Sequence, residues 1–263
     1  MSGREHAVRI LEMGRMEVPG PQVFWMADWE RWLTLAFNVL LIESEGVRAL
    51  VNTGPPDDPS DWRAHVRSML GERASFERRP EQHLLRQLDN LGIDPTSITH
   101  VIVTPFTLYS TSGIPWFANA EICLSRTGWL HFHTTHDHPR NVRWATLSRE
   151  VLHHLVIDAW DRVRLLHDED EVMPGLRTWW AGTHHRASLA VEIDTPDGVV
   201  VASDAFFYRE NVLENRPLGI GESMAEGLRC YARVRRSADH VVPLSDPRLL
   251  DRYPDGIISA GVA

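Results

Sequence analysis

Two periods of hydrophobic positions recur along the chain, one typical of β-strands and one typical of amphipathic helices. The β-rich runs at 37–42 and 47–52 are joined by a polar, glycine-containing turn and predict a β-hairpin. Leucines recur on one face of residues 80–91, which predicts a helix that ends at Gly92. The consecutive apolar residues within 99–104 suit a strand that is buried on both faces.

The other predicted elements are separated by turns. We predict further strands at 120–124, 176–180, 188–193, 199–203 and 240–243, and helices at 61–70, 148–160 and 222–236. No short-period repeat, low-complexity segment or linker interrupts this series of elements. The sequence therefore predicts one domain over residues 1–263, with helices packed outside strands.

The composition is that of a soluble globular protein, and the charge narrows the classes of partner. The chain has 263 residues, of which 43% are hydrophobic, and its formal net charge is −9. We expect a small-molecule substrate or ligand and neither nucleic acid nor membrane as a partner, because those two surfaces bind clustered basic residues. Cys123 and Cys230 have no C-x-x-C partner and the N-terminus lacks a signal peptide's apolar core, so we expect reduced thiols in a cytoplasmic protein.

Five short blocks of sequence form a series between residues 50 and 247. They are LVNTG at 50–54, TPFTLYSTSG at 104–113, GTHHRASL at 182–189, ASDAFFY at 202–208 and VPLSDP at 242–247. Together they resemble the metallo-β-lactamase superfamily, nearest to the branch that includes the N-acyl-homoserine lactone lactonases. The resemblance implies an α/β fold, the αββα sandwich of the metallo-β-lactamase type. Members of that branch bind two metal ions and open a lactone ring with a metal-held hydroxide.

The second block differs from the superfamily at the metal-binding positions. There the family has T-H-x-H-x-D-H, which supplies most of a dinuclear zinc site. With Thr104 and Gly113 fixing the register, the ligand positions hold residues that are not normal zinc ligands, namely Pro105, Thr107, Tyr109 and Ser110. Ser245 stands where the last histidine is expected, so His184 and Asp204 are the implied ligands that remain. A catalytic zinc normally needs three protein ligands, and we therefore predict no metal and no cofactor.

The residues that match the family's pocket form the candidate site. We predict a catalytic group of four residues, namely His184, Asp204, Tyr109 and His185. In this group His184 and Asp204 are an acid/base pair, and Tyr109 is a proton donor. Substrate-binding residues are predicted at Thr107, Ser110, Phe207, Tyr208 and Ser245. The alternative is that His184 and Asp204 only hydrogen-bond each other and fill the former metal cavity.

Two further segments are rich in residues that take part in binding. Residues 131–138, HFHTTHDH, are interpreted as a polar loop or cap over the pocket, and the alternative is a displaced metal site. The chain has ten tryptophans, and three of them lie together near the N-terminus, at Trp25, Trp29 and Trp32. An aromatic cluster of this kind is compatible with a homodimer.

The resulting functional prediction is a metal-independent enzyme, of the hydrolase or lyase type, that acts on a small organic molecule. Two alternatives remain open. One is a non-catalytic ligand-binding protein that keeps only the fold and the pocket. The other is a metal-dependent lactonase with a rebuilt site, which requires that a histidine from residues 131–138 reaches the pocket.

Overall fold

The structure, a computed structural model, describes residues 5–134 and 142–261, and within them two β-sheets are packed face to face. The strands of the first sheet are β1 (Ala7–Pro19), β2 (Trp32–Ser44), β3 (Val47–Val51), β4 (His100–Ile102), β5 (Glu121–Ser125), β6 (Val163–Leu166) and β12 (Ile257–Ser259). The strands of the second sheet are β7 (Glu169–Met173), β8 (Leu176–Trp180), β9 (Leu189–Thr195), β10 (Gly198–Ser203) and β11 (His240–Pro243).

Strand order places the carboxyl ends of several strands at one edge of the molecule. The first sheet runs β12-β1-β2-β3-β4-β5-β6, with β3 to β6 parallel to one another. The second sheet runs β11-β10-β9-β8-β7, with β10 and β11 parallel and β9 antiparallel to β10. The residues that follow β4 and β10 and those that precede β9 therefore meet where the two sheets face each other.

Helices cover the outer faces of both sheets. They are α1 (Gly20–Val23), α2 (Ser60–Leu70), α3 (Leu84–Asn90), α4 (Leu108–Thr111), α5 (Arg126–Thr134), α6 (Arg143–Thr146), α7 (Arg149–His153), α8 (Arg209–Leu213), α9 (Met224–Ser237) and α10 (Leu249–Arg252). Short 3₁₀ turns lie at Pro80–Gln82, Pro95–Ser97, Ile114–Trp116 and Trp160–Arg162, and a π-helical turn lies at His154–Asp158. Within the described residues no helix combines the length and the apolar character that a membrane span requires.

Three apolar layers hold this arrangement together. One lies between the sheets and another lies outside the first sheet. Strand β4 contributes to both, because its consecutive residues Val101 and Ile102 are fully buried on opposite faces. Ile102 packs between the sheets, and Val101 packs against the helices outside the first sheet. The third layer joins the second sheet to α9 through Tyr231 and Val234. The αββα sandwich of the metallo-β-lactamase type predicted from the sequence is confirmed.

Local signals explain where several elements begin and end. The hydroxyl of Ser223 accepts a hydrogen bond from the backbone N–H of Glu226 at the start of α9, as an N-cap residue does. The predicted helix at 80–91 is interrupted, because His83 is extended between the 3₁₀ turn and α3. The helical character predicted at 148–160 is confirmed, because α7 continues directly into the π-helical turn at His154–Asp158.

Candidate active site

A buried carboxylate lies at the centre of the site. Asp204 follows β10 and is 2% exposed. Its Oδ1 accepts a hydrogen bond from the hydroxyl of Thr104, which follows β4. Its Oδ2 accepts one from the hydroxyl of Ser188 at 2.5 Å and lies 3.2 Å from Nδ1 of His184. Residues from two other segments, one at 104 and one at 184–188, thus converge on this carboxylate.

Asn52 fixes the segment that carries Thr104. Its side-chain N–H donates to the carbonyl oxygen of Thr104 at 2.7 Å, and its side-chain oxygen accepts from the backbone N–H of Thr104 at 2.8 Å. Asn52 has a φ of 68°, a left-handed conformation that asparagine tolerates better than most residues. An amide can satisfy both backbone groups, whereas an ionised aspartate at this position could only accept.

His184 is oriented from three sides. Asp204 accepts from Nδ1, the ring of His185 lies 4.0 Å away between centroids, and the ring of Phe207 meets it edge-on at 4.8 Å. His184 is 6% exposed, and no described residue forms a hydrogen bond with its Nε2. A carboxylate oxygen accepts, so Nδ1 is the donor in this contact, and an imidazole with its single proton on Nδ1 has its lone pair on Nε2. This is the form of histidine that acts as a general base.

His185 is a second imidazole in contact with the pair. Burial lowers its pKa well below the usual range, and positive charge on His184 or His131 would lower the pKa further. The His185 side chain is therefore neutral near pH 7. His131, on α5, therefore lies close enough to His185 to influence the pKa of His185.

Tyr109 lies on α4 beside the carboxylate. Its ring packs against Phe37 at 5.1 Å and against Trp62 at 6.0 Å between centroids. Burial raises the pKa of Tyr109, the negative charge of Asp204 raises it further, and a hydrogen bond with Thr107 partly opposes both effects. Tyr109 therefore keeps its proton at neutral pH, as a donor must, although no hydrogen bond joins it to Asp204.

Three of the predicted substrate-binding residues lie beside this group. Phe207 contacts the His184 ring, and the hydroxyl of Thr107 donates to that of Ser110 at 3.3 Å. The carbonyl of Ser110 also accepts from the backbone N–H and the hydroxyl of Thr53. These hydrogen bonds tie α4 to the segment after β3.

The remaining two are Tyr208, whose side chain makes its hydrogen bond elsewhere, and Ser245, whose backbone is hydrogen-bonded to β2. The hydroxyl of Tyr208 donates to the carbonyl of Thr34 on β2 at 2.7 Å, and burial raises the pKa of Tyr208 to about 12. The Ser245 carbonyl accepts from the backbone N–H of Ala36. The Tyr208 hydroxyl is therefore engaged with the first sheet and is not directed at His184.

The donor set of the described residues differs from the dinuclear metal centre that the family resemblance implies. Among residues 5–134 and 142–261, no three histidine, cysteine or acidic side chains converge as metal ligands do. Asp204 instead accepts hydrogen bonds from two hydroxyls and an imidazole. In the histidine-rich segment, His136, Asp137 and His138 lie outside the described residues, so the predicted cap is described only for its first four residues.

Thr104 and Ser188 are the site residues that were not predicted. Both belong to the sequence blocks, yet a single hydroxyl has no period and no characteristic spacing. The available signal was Asp204 itself, because a buried carboxylate without a cation needs hydrogen-bond donors.

Comparison with known proteins defines the fold. No protein-family model matches the sequence, and no curated protein matches it. Among solved structures, an N-acyl homoserine lactone hydrolase with the product N-hexanoyl-L-homoserine at its catalytic metal center has a TM-score of 0.76 at 17% identity, covering 96% of this chain and 97% of that chain. A dizinc quorum-quenching lactonase gives 0.65 at 13% identity, with coverage of 100% and 93%.

A third solved structure, a hydrolase of the beta lactamase superfamily, has a TM-score of 0.63 at 13% identity and covers 100% of this chain and 92% of that chain. These likenesses extend over nearly the whole length of both partners, so they concern the complete sandwich and not one motif. The chain has the metallo-β-lactamase fold that these hydrolases share, with a hydroxyl-bonded Asp204–His184 pair in its site.

Proposed function

We propose that this protein is a metal-independent hydrolase that cleaves a small ester or lactone, with His184 as the general base. The observation that carries the proposal is the geometry of His184. Its Nδ1 is held by a buried carboxylate, and its Nε2 has no hydrogen-bond partner among the described residues. An imidazole held in this way accepts a proton at Nε2.

The reaction would proceed by direct attack of water. Nε2 of His184 takes a proton from a water molecule whose oxygen forms a bond to the substrate's carbonyl carbon. The carbonyl π electrons move to oxygen, and the Tyr109 hydroxyl donates a hydrogen bond to that oxyanion. When the carbonyl re-forms, the C–O bond to the leaving alcohol breaks, and the imidazolium returns its proton to the alkoxide oxygen. Asp204 stabilises the imidazolium between these steps.

The ester or lactone class is suggested by the fold neighbours. One of them holds N-hexanoyl-L-homoserine, a ring-opened lactone, as its product. A flat carbonyl substrate also suits the aromatic surroundings of the pair, since Phe207 and His185 both face the His184 ring.

The test is hydrolysis of a panel of lactones and aryl esters by the full-length protein, with and without chelator. We expect turnover that chelation leaves unchanged and that His184→Ala reduces by about 10²- to 10⁴-fold in kcat/KM, the usual contribution of a general base. The matched control is His153→Ala, which removes a histidine whose side chain is 65% exposed. Turnover that survives His184→Ala, or that disappears with chelator, would reject the proposal.

A second candidate is a non-catalytic ligand-binding protein, and the closed geometry of the site favours it. Asp204 is fully hydrogen-bonded, and both members of the pair are at least 94% buried, being 2% and 6% exposed. Thermal-shift and calorimetric binding measurements on the same panel distinguish the two candidates. Saturable binding without turnover, unaffected by His184→Ala, would select the second candidate.

A further inference from the structure

The charge of Asp204 is compensated in an unusual way. Burying a carboxylate is costly unless hydrogen-bond donors or a cation replace its water. The chain has no lysine, no described arginine forms an ion pair with Asp204, and the described ion-pair partner of Asp204 is His184. The other donors are neutral hydroxyls, from Thr104 on one carboxylate oxygen and from Ser188 on the other.

Each hydroxyl is itself oriented by the backbone. The oxygen of Ser188 accepts from the N–H of His185 at 3.1 Å, which leaves its proton for Asp204. The oxygen of Thr104 accepts from the N–H of Leu189 at 2.8 Å. Its proton can reach the carbonyl of Leu189 at 3.0 Å or the carboxylate of Asp204, and the contact with the carboxylate is the shorter. Charge-assisted hydrogen bonds are stronger than neutral ones, so the carboxylate is the preferred acceptor.

We propose that Thr104 and Ser188 are positioning residues whose hydroxyls hold the Asp204 carboxylate in the orientation that accepts Nδ1–H of His184. This inference rests on the proposed function, in which the free lone pair of Nε2 is the base. Ser188 and His184 share one carboxylate oxygen, and Thr104 fixes the other, so the plane of the carboxylate is determined at both ends. Loss of the hydroxyls frees the carboxylate to rotate away from Nδ1, and the proton of His184 is then no longer held there.

The experiment is nitrogen-15 NMR of the histidine side chains in the full-length protein, with His184 assigned by the signal that His184→Ala removes. We expect wild-type His184 to carry its proton on Nδ1 at neutral pH. In Thr104→Val, Ser188→Ala and the double variant, a growing share of the proton should appear on Nε2. Thr104→Ser keeps the hydroxyl and should restore the wild-type spectrum.

Thr195→Val is the matched control. Thr195 is buried at the end of β9 opposite to the site, and its hydroxyl donates to the backbone carbonyl of Gly198 at 2.6 Å. Removing it costs a hydrogen bond at a buried residue without touching the carboxylate, so the His184 signal should not move. Where the double variant fails to fold, the two single variants and Thr104→Ser decide the outcome.

Turnover supplies an independent measurement. Each lost hydroxyl should lower kcat by about tenfold while KM stays within about twofold, because only the base is affected. An unchanged His184 signal in both single variants, or an equal change in Thr195→Val, would overturn the positioning role. A shifted signal in a protein that hydrolyses nothing would reject the proposed function and keep the positioning role. Turnover that is lost in His184→Ala but unchanged in Thr104→Val and Ser188→Ala would keep the proposed function and reject the positioning role.

Discussion

At the scale of single residues, the site is built from polar side chains that form hydrogen bonds with one another. Asn52 pairs with both backbone groups of Thr104, whose hydroxyl then reaches Asp204. The series Asn52, Thr104, Asp204 and His184 therefore connects the first sheet to the second through side chains that are at most 6% exposed. Buried polar networks of this kind lose stability when one member cannot make its bonds.

Asn52→Asp should weaken this series. The carboxylate cannot donate to the carbonyl of Thr104 and is repelled by it, so we expect the free energy of unfolding to fall by about 1–3 kcal/mol. Urea denaturation at pH 7 measures the effect. The control is Asn119→Asp, since Asn119 also donates to a backbone carbonyl, that of Thr96 at 2.9 Å, but at an exposed position. Equal losses at the two sites would contradict the role given to Asn52.

Some contacts of single residues in the site could be predicted from the sequence, and others could not. Contact between His184 and Asp204 followed from matching both to the family's blocks. The role of Tyr208 did not follow, because Phe207 and Tyr208 are adjacent aromatic residues and the pattern cannot tell which one faces the site. The structure turns Phe207 toward His184 and Tyr208 toward Thr34.

At the scale of elements, α5 is packed tightly on the segment that carries the site histidines. A Cβ at Gly128 would lie 2.4 Å from the Cα of Ala187, which is closer than real contacts allow. Glycine thus permits α5 to approach residues 182–188 and brings His131 near His185. The strands β1, β6, β7 and β12 were not predicted. In β1 the pattern is interrupted, because its pairing with β2 shifts register between Glu12 and Arg15, around Gly14.

Gly128→Ala should displace α5 from the histidine segment. Alanine favours a helix by about 1 kcal/mol over glycine, but the collision with backbone is expected to cost about 1–3 kcal/mol, so the net change should be destabilising. The control is Gly227→Ala in α9, where the nearest atom to an added Cβ is the Thr183 methyl at 3.1 Å. We expect a clear drop in thermal midpoint for the first variant and little or no drop for the second. The His184 and His185 NMR signals should shift in Gly128→Ala alone.

At the scale of the whole molecule, the αββα sandwich was predictable because its evidence is spread along the chain. Five blocks lie at strand ends, and alternating or continuous apolar runs mark most of the strands between them. The chemistry was less predictable, since it depends on hydroxyl contacts between residues as distant in sequence as Thr104 and Asp204. The sandwich positions the site residues, and the hydroxyls that hydrogen-bond to Asp204 are the basis of the chemistry proposed for it.

The metal content of the protein distinguishes the proposed metal-independent hydrolase from a dizinc enzyme such as its structural neighbour. With His184 and Asp204 engaged by protein donors, we expect less than about 0.1 metal ion per untagged chain by plasma mass spectrometry. Added zinc should leave the thermal midpoint unchanged, whereas a metal at 100 times its dissociation constant would stabilise the fold by about 2.7 kcal/mol. One or two tightly held ions per chain would instead support a rebuilt site that uses histidines of residues 131–138. His131→Ala, on the helix that packs beside His185, would then be the first variant to lose them.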